Sequence, residues 1–238
     1  MKKITVSLLF IFIATAMFAQ KQFVVDANAQ MRSLDKSFNE IKVSNGIDIY
    51  LSQSDKEAIA VSASDEKYIT NIKTVVENNT LKIYYEGDRW WGKNRKMTVY
   101  VSFVNLEKIN ASGASDITVA GTIKTTSLKL ILSGASDFKG DVAVTSLDMD
   151  LSGASDVKIS GTATDLNIES SGASDVKGYD LKTEICTAKA SGASDINVTV
   201  NKELNAHASG ASSIYYQGTG VIKDVHANGA SSVGKRGS

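Results

Sequence analysis

Five aspartates recur at nearly equal intervals: Asp116, Asp137, Asp156, Asp175 and Asp195. Equal spacing of one carboxylate type invites a cation reading. If each Asp sits on its own coil and the coils stack ~4.8 Å apart, the row offers hard oxygen ligands to Ca²⁺. It would also repel itself, by about 0.9 kcal/mol per adjacent pair in water and about 3.5 kcal/mol at an effective dielectric of ~20. Two residues after each Asp stand Thr118, Lys139, Lys158, Lys177 and Asn197. Three lysines one strand position along can neutralise such a row. The repeat lacks the second glycine and nine-residue period of calcium-binding β-roll repeats. The favoured reading is a structural corner with lysine compensation. Ca²⁺ binding is the alternative, and no other cofactor is expected.

Two further groupings carry candidate chemistry. The segment Glu86–Lys96 reads EGDRWWGKNRK and sets Trp90 and Trp91 among Arg89, Lys93 and Arg95. Tryptophan beside cations suits a glycan or an anionic polymer, through stacking and charge-assisted hydrogen bonds. The competing reading makes one Trp a plug over the open end of the core. A second row holds Asp150, Glu169, Lys189, His207 and His226. Two stacked histidines can share a transition metal, but the charges in this row are mixed and no thiolate joins them. A solvated polar face is the expectation. No nucleophile motif or phosphate loop is present, and the acidic residues recur with the coil. No catalytic residue is assigned, and a non-enzymatic protein is expected.

The elements that must position these groups follow from the repeat. The aspartates close a pentapeptide, SGASD, at Ser112–Asp116, Ser133–Asp137, Ser152–Asp156, Ser171–Asp175 and Ser191–Asp195. Two altered copies follow, Ser209–Ser213 and Asn228–Ser232. The motif glycines are spaced by 21, 19, 19, 20, 18 and 19 residues. A fixed period of this size marks a solenoid whose coils bury their apolar faces only against one another.

Alignment on the glycine gives the strand pattern. Four residues later come Ile117, Phe138, Val157, Val176, Ile196, Ile214 and Val233, all apolar. Leu128, Leu130 and Leu132 precede one motif at alternate positions, and Leu147, Met149 and Leu151 precede the next. Polar residues fill the gaps. Period-two alternation is the strand signature. The predicted fold is all-β, a right-handed parallel β-helix with coils of about 19–20 residues. Parity carried through the motif places Ser112, Ala114 and Asp116 outward and Ser115 inward. Cys186 falls in an inward column beside Ala188 and Ala190, as a small buried hydrophobe. Proline is absent, which suits ladders that need every backbone N–H.

Before the repeats, alternation continues in Ile41–Leu51, Ile59–Ala63, Leu81–Tyr85 and Met97–Phe103. SDEKYIT at Ser64–Thr70 offers an N-cap and an acidic first turn for a short helix. Lys2 and Lys3, followed by an apolar run to Phe18 and then Ala19, read as a signal peptide. The expected organisation is a signal peptide over 1–19, an N-terminal arm over 20–37 and one β-helix domain over 38–238. The motif-bearing repeats span 106–233. The mature chain is expected outside the cytoplasm, in the periplasm, on the cell surface or beyond, with no transmembrane span. Loss of two lysines from the balanced 26 basic and 26 acidic residues leaves about −2, which excludes a nucleic-acid binder. Cys186 is the single cysteine, so no intrachain disulfide forms.

The combination of FNEIKVSNGIDIYLSQSD, VENNTLKIYYEG and KMTVYVSFVNLEKINASGASDITV resembles a family known in Bacteroidetes. That family is the putative auto-transporter adhesin, head GIN domain family, and the resemblance covers about Phe38–Val233. It implies an exported β-helix with an adhesive or ligand-binding role, the partner being a glycan, the cell envelope or another protein. It carries no catalytic residues over. The last repeat lies close to Ser238, leaving no room for a translocator barrel, so self-transport is not expected. A carbohydrate-active enzyme on the same scaffold, or a purely structural envelope protein, are the alternatives.

Overall fold

The computed structural model describes Asp26, residues 28–87 and residues 96–237. In chain order, β1 (Gln30–Arg32), β2 (Glu40–Val43), β3 (Asp48–Gln53) and β4 (Ala58–Ala63) lead to a one-turn helix, α1 (Glu66–Ile69). β5 (Ile72–Glu77), β6 (Thr80–Tyr85), β7 (Met97–Phe103) and β8 (Lys108–Ala111) follow. Five long strands carry the repeats: β9 (Ile117–Leu132), β10 (Phe138–Leu151), β11 (Asp156–Ser170), β12 (Asp175–Ala190) and β13 (Asp195–Gly210). β14 (Ser213–Gln217), β15 (Val221–Gly229) and β16 (Ser232–Lys235) finish the described chain. Together they form a β-solenoid of about seven turns.

The predicted columns are vertical rows. Ile49, Ile117, Phe138, Val157, Val176, Ile196, Ile214 and Val233 are register partners in succession. On the other wall run Ile41, Ile109, Leu130, Met149, Ile168, Ala188 and Ala206. All of these except Val233 are buried in a single core. Burying a Val, Leu or Ile side chain contributes about 1.5–3 kcal/mol, so each coil adds its share only with a neighbour on both sides. Cys186 is sealed in this core, and burial pushes its thiol up to about 12, which leaves it unreactive.

The motif forms the corner between walls, with the expected parity. Ala114 and Asp116 face solvent, Ser112 is half-buried, and Ser115 points inward. The inward hydroxyl recurs in Ser136, Ser155, Ser174, Ser194 and Ser212, all fully buried. A buried hydroxyl is costly without partners, and these have them. Ser155 Oγ donates to the Ser152 carbonyl at 3.1 Å, and Ser174 Oγ accepts from the Ser155 N–H at 3.2 Å. The motif glycine takes φ of +80° at Gly153 and +81° at Gly172. A Cβ on Gly172 would lie 2.4 Å from the Gly153 carbonyl oxygen. That carbonyl accepts the Ala173 N–H at 2.7 Å, so the backbone ladder runs unbroken through the corner.

Below the repeats the stack departs from simple coiling. β2 and β3 continue the stack with a further corner, Ser44–Asp48, under Ser112–Asp116. The Ser112 N–H reaches the Val43 carbonyl at 3.1 Å, and the Ile47 N–H reaches Ser115 Oγ at 3.2 Å. Asn45 and Gly46 take φ of +69° and +68°, matching Gly113 and Ala114 at +69° and +68°. β6 and β7 stack parallel on β2 and β3, and beyond them the pairing turns antiparallel. β4 pairs with β7 and β1, and β5 forms a hairpin with β6. The chain between β4 and β5 must cross the end of the stack, because the two strands lie on opposite walls. α1 makes that crossing. Asp65 caps it by accepting the Lys67 N–H, and Ile69 is buried beneath it. Arg32, from the segment expected as an arm, donates to the Ile69 carbonyl at 2.9 Å.

Candidate functional site

The aspartate row stands as a row on the outer corner, and Asp48 extends it. Asp156, Asp175 and Asp195 are direct register partners. Burial, and then the charge of Asp116, raise the Asp48 carboxyl above its ordinary value. Burial, and then Asp137, do the same to Asp116. The compensation is local: Asp137 Oδ1 accepts the Asp156 N–H at 3.1 Å, and Lys177 Nζ lies 3.6 Å from Asp156 Oδ2. Lys139, Lys158 and Lys177 stack as the expected lysine row. Each coil contributes one carboxylate, and adjacent aspartates in this row are separated along the stack.

The second polar row is better formed for binding. Asp150, Glu169, Lys189, His207 and His226 are register partners across β10, β11, β12, β13 and β15. They make one rim of a groove of about 550 Å³. Ser171, Ser191 and Ser209 of the corners make the other, with Ala190 and Ala208 on the floor. Lys189 Nζ pairs with Glu169 Oε1 at 2.8 Å, while both side chains remain half exposed.

At the end of this row the histidines stack, with ring centroids 4.8 Å apart and planes at 26°. Asp224 joins them. Its Oδ2 lies 3.1 Å from His207 Nε2, and its Oδ1 lies 3.1 Å from His226 Nδ1. Asp224 reaches the outer face through a bulge: Leu204 pairs with Ile222, but Asn205 pairs with Asp224, leaving Lys223 as the extra residue. Without that insertion Asp224 would fall in the inward column beside Ala206. Bulges commonly re-aim a side chain in this way. Among the described residues, this is where ligand atoms of three His, Cys, Asp or Glu side chains come within 4.8 Å of one another. The row of histidines was legible in the repeat; Asp224 stands in the neighbouring outward column, five residues before Gly229 as Asn205 is before Gly210, and its approach to both rings was not legible.

Arg89, Trp90, Trp91, Lys93 and Arg95 lie outside the described residues. The N-terminal end of the core is closed by α1, with Ile69 and Ile72 buried. Among the described residues, no helix is long and apolar enough to cross a membrane.

Residues 37–220 match the family described as putative auto-transporter adhesin, head GIN domain. No curated protein matches the chain. Among solved structures, a putative adhesin from Bacteroides fragilis superposes with a TM-score of 0.79 at 23% identity, covering 89% of this chain and 98% of that one. A putative lipid binding protein from Parabacteroides distasonis gives 0.64 at 20% identity, with coverage of 89% and 98%. A putative adhesin from Parabacteroides merdae gives 0.63 at 17% identity, with coverage of 87% and 95%. At these identities the three share the fold with this chain. The family match spans most of the chain, which therefore belongs to the head GIN domain adhesin family.

Proposed function

From that membership we propose that the protein is an exported, non-enzymatic adhesin of the cell envelope that holds an extended polar partner along its stacked coils. The observation that carries this reading is the groove of about 550 Å³ across five coils, with Glu169, Lys189 and His207 on one rim and corner serines on the other. Its polar groups repeat at the coil spacing, which suits a partner with its own repeat, such as a glycan chain. A single reacting bond would call for a unique constellation instead. The segment with Trp90 and Trp91 would add stacking surface for the same class of ligand.

A glycan array tests both parts. The wild type is expected to bind a defined set of glycans. E169A/K189A should lose them if the groove holds the chain, and W90A/W91A should weaken them if the tryptophans stack on sugar. Absence of any wild-type binding, on the array and to isolated envelope fragments, contradicts the adhesive reading. The aspartate row as a Ca²⁺ site is tested separately. Millimolar calcium should raise the melting temperature of the wild type and not of D156N/D175N, and an unchanged wild type removes calcium from the account.

A further inference from the structure

We infer that His207, Asp224 and His226 form a binding site for one divalent transition-metal ion, with zinc as the best fit. Two imidazole nitrogens and one carboxylate oxygen are the donor set that borderline ions such as Zn²⁺ take, and that Ca²⁺ does not. The three side chains come from adjacent coils. His207 and His226 are brought together by the ladder register, and Asp224 is brought to them by the bulge at Lys223.

The geometry is close to closure. Ligand atoms around a tetrahedral zinc lie about 3.3 Å apart, from metal–ligand distances near 2.0–2.1 Å. Here each imidazole nitrogen lies 3.1 Å from its own oxygen of Asp224, and one ligand atom from each of the three residues lies within 4.8 Å of the others. Drawing the imidazoles together needs only side-chain rotation, and all three side chains are roughly half exposed. Three protein ligands leave a fourth position free, the arrangement of a zinc that accepts an outside donor. His207 and His226 also line the groove, so that position opens where a carboxylate or hydroxyl of a bound chain would lie. The ion site stands whether or not the groove takes a glycan.

The test uses purified protein stripped of metal with a chelator and titrated with zinc chloride by calorimetry. One zinc per chain is expected. H207A and H226A should each weaken binding by about tenfold or more, given that loss of even an outer-shell partner costs 10–100-fold. D224N should weaken it less, and D156N should leave it unchanged. The chain has two histidines, which makes an independent readout simple: both imidazole NMR signals should shift together and saturate at one equivalent. The substitutions are on exposed side chains, so the metal-free melting temperature should stay put. Absence of zinc binding by the wild type overturns the site, as does zinc binding that survives in the H207A/H226A double variant.

Discussion

The two ends of the solenoid meet the same problem in opposite ways. At the N-terminal end, antiparallel strands and α1 fold over the last coil, and Ile69, Ile72 and Phe38 are almost fully buried there. At the C-terminal end, among the described residues, the stack stops on β15 and β16 with no element over them. Val221, Ile222 and Val225 are 56%, 40% and 47% exposed. Ile222 and Val225 occupy the columns of Leu204 and Ala206, which are fully buried one coil below. The same inward position is therefore core in one coil and surface in the next. A residue's contribution in this fold depends on its place along the stack as much as on its type, as expected for a nearly one-dimensional assembly.

The largest effects should come from the corner glycines, graded along the stack. Gly172→Ala adds a Cβ 2.4 Å from a backbone oxygen at φ of +81°, so relief requires the next coil to move. The left-handed backbone costs an alanine about 1–2 kcal/mol and overpacking about 1–3 kcal/mol more. Gly229→Ala, in the last coil, meets its nearest atom at 3.0 Å and has no coil above it. It should cost visibly less in urea denaturation. Equal losses would erase the distinction between interior and end.

Core truncation sharpens the same contrast. Leu130→Ala in β9 should cost about 2–5 kcal/mol, through lost burial and the cavity left behind. Ile222→Ala in β15 should cost under about 0.5 kcal/mol, the range of ordinary surface changes. Chemical denaturation of the two variants side by side measures this directly. Between these lies Ser174→Ala, which removes a buried hydroxyl and leaves the Ser155 N–H without its acceptor. About 1–3 kcal/mol is expected from that desolvated group.

The smallest expected effect has a pH signature. The folded Asp116 carboxyl titrates above 3.8, so its ionised form is disfavoured by folding. It subtracts from stability at neutral pH, and the loss is recovered as pH falls through the folded value toward 3.8. D116N should melt slightly higher than wild type at pH 7, with the difference closing near pH 3.5. A difference that grows on acidification would show that Asp116 is held by favourable partners instead.

How much of this the sequence discloses differs between the same two regions. In the repeats, the inward columns, the parity through SGASD and the burial of Cys186 all follow from coil length and alternation, because the backbone there has one way to stack. The helix at Glu66–Ile69 is also legible, through Asp65. The cap is harder. Alternation marks β4, β6 and β7 as strands and misses β5, and it is silent on direction, so the parallel β6 and β7 and the antiparallel β4 look alike. The corner at Ser44–Asp48 is masked because Gly46 stands one place later than the motif glycine, with Asn45 adopting the left-handed backbone in its stead. Asp224 is hidden differently: counting back from Gly229 gives its outward face, but alternation does not show that its carboxylate leans across to His207 and His226, and counting forward from Ile222 fails at the bulge residue Lys223. Periodicity reports faces only while the register is unbroken.

Hydrogen exchange of the backbone amides tests the contrast between ends most directly. Amides of β9 to β13 should exchange slowly and together, those of β2 and β7 should be comparably protected, and those of β15 and β16 should exchange far faster. If β15 is protected as well as β11, or if β2 and β7 open as readily as β16, the account of a closed end and an open end is wrong.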